Sequence, residues 1–314
     1  MLFQSFRRSI IASFLACGCL LLLTLCLVAA DLTIVFDFKP TGSPNTTAIT
    51  GDTISTFNFS AFGFPNDAAN FATLTASITN EVRNIYYGLP TNNVDSRSPI
   101  PINTQLRIDF VQGTIGQPPS NGATEYYYAQ IGTGVSGPSI GALGVAQLNA
   151  VRTSSGTHPG GVANHAIVAS VFANNIQGLG SLTPSNALTT GNLAFSTYAL
   201  AGTLAHEIGH TLSLSHMNKA GSITPTGLPP IMGTGALDLP NQDRIGPREF
   251  AYSGFDGENS NAARAHVQQL VNALGVRTVP EPMTMSLIGI VIISGGVWSY
   301  RRKKQRVRLM EQQL

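Results

Sequence analysis

His206-Glu207-Ile208-Gly209-His210-Thr211-Leu212-Ser213-Leu214-Ser215-His216 is the stretch around which the rest of the chain is read. It opens with H-E-x-x-H, a spacing that puts two imidazoles on one face of a helix with a carboxylate between them. Residues four apart on an α-helix are separated by about 40° around the axis and about 6 Å along it, so His206 and His210 can meet at one ion. Glu207 lies about 100° round from His206 and borders the same site without ligating. A non-ligating carboxylate stays basic, close enough to take a proton from a zinc-bound water. On an unbroken helix His216 would stand about 9 Å beyond His210, whereas zinc–nitrogen bonds are about 2.0–2.1 Å. The chain must therefore leave the helix near residues 212–214 and fold back before His216 can become a third ligand. Three neutral histidines leave a fourth position for water, whose pKa the metal draws down towards about 7.

The complete pattern, H-E-x-x-H-x-x-S-x-x-H, resembles the metzincin zinc metalloprotease signature H-E-x-x-H-x-x-G-x-x-H, most of all its matrixin-type version. Ser213 takes the glycine position. In that family the glycine turns the chain out of the helix with a left-handed backbone, which serine can adopt at a cost of roughly 1–2 kcal/mol. The family's methionine turn has its candidate in Met232 of Pro230-Ile231-Met232-Gly233, sixteen residues after His216. There it would form an apolar floor under the zinc; plain core packing is the competing reading. Astacins and serralysins carry a tyrosine two residues after that methionine, and Thr234 stands there instead, against those branches. The resemblance implies a zinc endopeptidase acting on protein or peptide, with one catalytic Zn2+ on His206, His210 and His216 and Glu207 as general base. The alternative is a non-catalytic metzincin-fold surface or extracellular-matrix protein with zinc structural or absent. Glu207 speaks against it, because a structural zinc needs no base, and Ser213 speaks for it. A zinc hydrolase of non-peptide substrates would use the same residues.

The ends of the chain read as processing segments. Residues 1–30 have the form of a secretory signal: Arg7 and Arg8, an apolar run over 10–28, then Val28-Ala29-Ala30 ahead of a cut before Asp31. An uncleaved N-terminal anchor is the other reading of that run. Cys17, Cys19 and Cys26, the three cysteines of the chain, all lie inside it, so the remainder has no disulfide framework and no cysteine switch. At the far end, Val279-Pro280-Glu281-Pro282 precedes an apolar stretch over 283–300 and the basic run Arg301-Arg302-Lys303-Lys304. Eighteen mostly apolar residues just suffice to span a bilayer, with the basic end cytoplasmic. Residues 277–314 resemble the PEP-CTERM sorting signal of Gram-negative-type bacteria. In that family an exosortase cuts near the motif and passes the protein to the cell surface or extracellular matrix. That implies an exosortase-type processing enzyme as partner and a membrane contact through 283–300 before cleavage; a permanent anchor is the simpler reading.

Ten Lys and Arg and fourteen Asp and Glu lie in residues 31–279, a net charge of −4, so the basic balance of the whole chain belongs to its tails. Nothing in that distribution suggests nucleic-acid binding.

Between the tails the body alternates α and β. Strands are expected over 32–38, 106–111, 126–131, 144–148 and 166–172, the last apolar enough to be covered on both faces. A Gly-, Pro-, Thr- and Asn-rich loop is expected from 39 to about 60. A helix is expected over 66–87, with Phe71, Leu74, Ile78, Val82 and Ile85 at spacings of three and four, and the histidine helix over about 193–212. The order is similar to the metzincin N-terminal subdomain. It implies an α/β (α+β) fold: a twisted, mostly parallel sheet with one antiparallel edge strand, a zinc-binding active-site helix and a small C-terminal subdomain. The catalytic domain then runs over 31–276, divided at His216 into 31–216 and 217–276. The antiparallel strand would border the cleft and pair with extended substrate; 144–148 is the choice for it. Tyr126–Tyr128 reads as strand packing rather than substrate binding.

His158 and His165 flank a Gly-rich loop where matrixins hold a structural zinc, but their spacing and the lack of neighbouring acids do not reproduce that site. His266 falls in an expected helix over 261–274 and reads as structural. Asp238, Asp243, Asp256 and Glu258 are scattered, and no calcium loop of the D-x-[DN]-x-[DN]-G form appears, so calcium is unsupported.

Overall fold

The computed structural model describes residues 32–40, 42–139, 141–148, 150, 163–179, 187–233, 239–255 and 263–279. Residues 1–30, the apolar stretch 283–300, His158, Thr234, Asp238, Asp256 and Glu258 lie outside the described residues. Among those described, no helix is long and apolar enough to cross a membrane.

The centre is a seven-stranded sheet built on β1 (Leu32–Phe38), every residue of which is buried. In chain order there follow β2 (Thr46–Thr47), β3 (Thr53–Ser55), α1 (Ala68–Tyr87), β4 (Thr104–Leu106), β5 (Ile108–Gln112), β6 (Tyr126–Ser136), β7 (Gly144–Ala146), β8 (Ile167–Phe172), α2 (Ala173–Gly178) and α3 (Leu193–Thr211). The chain beyond His216 adds α4 (Asn241–Arg244), β9 (Gly254–Phe255), β10 (Ala263–Arg264), α5 (His266–Leu274) and β11 (Val276–Thr278). Strands β5, β1, β6 and β8 run parallel, and β7 lies antiparallel against β8 at the sheet's margin. The fold is therefore mixed α/β with a mostly parallel sheet. The apolar run at 166–172 is an interior strand, one in from that margin, with Val168, Ala169 and Val171 fully buried.

Three expectations needed correction. The stretch from 39 to 60 is not all loop: β2 and β3 form an antiparallel pair there, and β3 continues onto the far half of β6, which runs on to Ser136. The strand expected over 106–111 breaks at Arg107. Leu106 leaves the sheet to pair with Val276 of β11, while Ile108 onward stays beside β1. Arg277 of β11 then closes an ion pair with Asp109 of β5 at 2.8 Å, tying β11 to the margin of the sheet. The last helix starts at His266 rather than 261, because 263–264 pair with β9 first.

Helix α1 starts at 68 because Asp67 caps it, accepting from the Asn70 backbone N–H at 2.8 Å. Its buried stripe, Leu74, Ile78, Val82 and Ile85, faces the sheet and α3. The hydroxyl of the fully buried Tyr86 donates to the Ala205 carbonyl of α3. Asn192 caps α3, accepting from the Phe195 N–H at 3.2 Å. Helix α3 is buried nearly all round, since it lies between α1, the sheet and the chain that follows His216. Met217, Ile231, Met232, Phe250 and Val267 join the same core as β1 and α1. Tyr126 and Tyr128 pack with Val35 on the opposite face of the sheet.

Candidate metal centre

Helix α3 delivers His206 and His210 on one face, and its termination delivers His216. The Leu214 N–H bonds to the Gly209 carbonyl at 2.9 Å and the Ser213 N–H to the His210 carbonyl at 3.0 Å. This is the double hydrogen bond by which a helix closes on a left-handed residue. Ser213 is that residue, at φ +73°, so the chain makes with serine the turn for which the family pattern has glycine. Three residues later His216 faces back. Its Nε2 lies 3.0 Å from His210 Nε2, which lies 3.1 Å from His206 Nε2. Two ligands of a tetrahedral zinc stand about 3.3 Å apart at zinc–nitrogen bonds of about 2.0–2.1 Å, so the three rings are set to share one ion. They are the one group of metal-binding type among the described residues.

The far side of each helical ring is held. His206 Nδ1 lies 2.8 Å from the Ile231 carbonyl, and His210 Nδ1 lies 2.8 Å from the Leu214 carbonyl. A carbonyl can only accept, so each Nδ1 carries the proton and each Nε2 presents a lone pair to the centre. Burial, with His210 beside it, keeps His206 well below the usual imidazole range, in the neutral form that ligates. Ile231 belongs to the turn Pro230–Gly233, closed by the Gly233 N–H on the Pro230 carbonyl at 3.1 Å. Met232 in that turn is fully buried, and a Cβ added at Gly209 would lie 2.6 Å from its Sδ. The methionine thus packs against the middle of H-E-x-x-H, and the backbone beside it orients the first histidine.

Glu207 is 7% exposed, and burial pushes its carboxyl up to about 8. It points to β7, where Gly144 leaves room for it. Together α3 and β7 wall a cleft of about 690 Å³ that also contains Thr203, Arg244 and Arg248. Among the described residues, the edge of β7 away from β8 has no strand partner, and β7 borders this cleft.

Other singled-out residues fall elsewhere. His165 stacks on Tyr126 at 4.0 Å between ring centroids. His266 begins α5, fully buried. Asp243 pairs with Lys219. Gly144, Gly202 and the two arginines were missed by sequence reasoning. Arg248 is 4% exposed and seated against Gly202, one turn ahead of His206, where burial and the neighbouring Arg244 push its guanidinium down to about 9. No spacing rule links residue 248 to 202.

No family model matches the sequence, and no curated protein matches it. Among solved structures the chain is similar to the crystal structure of archaemetzincin from Methanopyrus kandleri, at 11% identity and a TM-score of 0.32, over 71% of this chain and 91% of that one. A likeness this loose leaves the reading of the site on its own geometry.

Proposed function

We propose that this chain is a zinc-dependent endopeptidase of metzincin type, with His206, His210 and His216 as metal ligands and Glu207 as general base. The observation that carries the reading is the convergence of three Nε2 atoms beside a buried carboxylate, inside a cleft bordered by an open strand edge. Zinc bound there would supply Lewis acidity, acidifying a water and polarising the scissile carbonyl. Glu207 takes the proton of the attacking water and passes it to the leaving amine. Strand β7 holds an extended peptide by its backbone, which sets the carbonyl over the histidines. The Ile231 carbonyl holds His206 by its Nδ1, and Met232 packs against Gly209 between the two helical histidines. Ser213, the feature that favoured a non-catalytic protein, makes the required left-handed turn, which supports the catalytic reading. Residues 1–30 and 277–314 add export and PEP-CTERM-type sorting to the cell surface, a reading that rests on their sequence features.

The test is digestion of a generic unfolded protein by the full chain, beside Glu207→Ala of matched zinc content. Cleavage that chelation abolishes and the variant lacks supports the peptidase. Stoichiometric zinc in both proteins with no cleavage by either would remove it.

A further inference from the structure

Arg248 stands in the wall of the cleft without having been given a role. Among the described residues its Nε and Nη2 are buried and have no hydrogen-bond partner. The charged groups acting on it are Arg244, which repels it, and Asp243, which attracts it but is already paired with Lys219. Leaving a guanidinium buried with donors unsatisfied is unfavourable, and a carboxylate is the partner whose two oxygens match its fork. The seat itself is cut for it. A Cβ at Gly202 would lie 2.5 Å from the guanidinium Cζ and 2.7 Å from Nε. Glycine inside a helix is less favourable than alanine, and here it admits the arginine head one turn before His206. A backbone bond fixes the neighbouring residue: the Ile231 N–H bonds to the Glu249 carbonyl at 2.9 Å, so Arg248 is held beside the turn that carries Met232.

Resting on the peptidase reading, we propose that Arg248, with Arg244 beside it, forms a carboxylate-recognising subsite of this cleft. The substrate then presents a negative group there, either an Asp or Glu side chain or the peptide's own C-terminal carboxylate. Binding sets a negative charge beside the buried cation, so peptides with that group are selected over neutral ones of the same shape.

Binding can be measured apart from cleavage, on the zinc-loaded full chain carrying Glu207→Ala. The probes are alanine hexapeptides in three forms: end-blocked with one glutamate, end-blocked with glutamine at the same place, and glutamate-free with a free C-terminal carboxylate. A carboxylate held by an unpartnered arginine should bind on the order of tenfold tighter than its neutral counterpart. Which carboxylate peptide shows the gain identifies the side chain or the chain end as the recognised group. Adding Arg248→Gln should bring the peptides to within about twofold of one another, while Arg248→Lys keeps part of the preference. Gly202→Ala leaves the arginine but displaces its head, and should show the same loss even where Arg248→Gln does not fold. Equal binding of all three peptides overturns the subsite, as does a preference that survives both substitutions in folded, zinc-loaded protein. Because the parent cannot cut, neither result depends on the peptidase reading, whose failure would show instead as an inactive wild type.

Discussion

Gly144 on the edge strand and Glu207 on the histidine helix are in contact: a Cβ at 144 would stand 2.6 Å from Cγ, 2.7 Å from Oε1 and 2.8 Å from Cδ of the glutamate. The strand that would hold a peptide and the carboxylate that would act on it leave no room between them for one methyl group. Gly144→Ala should therefore displace the flexible carboxylate without unfolding the chain. A misplacement of that size costs about 10²-fold in turnover. Steady-state cleavage beside zinc stoichiometry checks it, with zinc content unchanged.

Ser213 holds a left-handed backbone that disfavours any side chain with a Cβ. Ser213→Gly should raise stability by about 1 kcal/mol, and Ser213→Val should lower it by more. Denaturant midpoints of the metal-free protein read both. A neutral or destabilising Ser213→Gly would show that the serine hydroxyl is holding the turn.

Met232 fills the space under Gly209, so Met232→Ala should cost about 2–5 kcal/mol by leaving a cavity. Met232→Leu, close in volume, should cost less than about 1.5 kcal/mol. Thermal unfolding of the two variants separates packing from any special demand for sulfur.

In metal-free protein, burial raises Glu207 from 4.5 to about 8 and drives His206 well below 6.5. The folded state holds a proton on Glu207 that the unfolded chain releases above pH 4.5, so this contribution to stability falls as pH rises to about 8. His206 acts the other way: the unfolded chain takes up a proton below pH 6.5 that the folded state refuses, so its contribution falls as pH falls. The two oppose each other between pH 4.5 and 6.5, and from 6.5 to about 8 Glu207 acts without that opposition. Denaturation of the metal-free chain should show stability dropping over that upper window, and Glu207→Gln should flatten the drop.

Zinc that binds the folded state alone should stabilise it by about 2.7 kcal/mol at about one hundred times its dissociation constant. His216→Ala removes one of three ligands and should abolish most of that gain. Unfolding curves with and without zinc measure the difference, and an undiminished gain in the variant would place the metal elsewhere.

The histidine site was legible because its information is short-range. Helix pitch places His206, Glu207 and His210, and the impossibility of reaching His216 along a straight helix demanded the turn now seen at Ser213. Strand β1 and the stripe of α1 were legible for the same reason, as hydrophobic runs and periods within one element. The break at Arg107 was not, since it is imposed by β11, more than 160 residues further along the chain.

What the sequence determined by itself is the chemistry: three imidazoles, one carboxylate, and a local backbone able to bring them together. Tertiary structure alone decided what stands round them. It set Ile231 behind His206, Met232 under Gly209, Gly144 against Glu207 and Arg248 against Gly202. Each of these pairs is a contact between elements distant in the chain, fixed by how helix, sheet and the chain after His216 share one close-packed core. No spacing within a single element encodes that sharing.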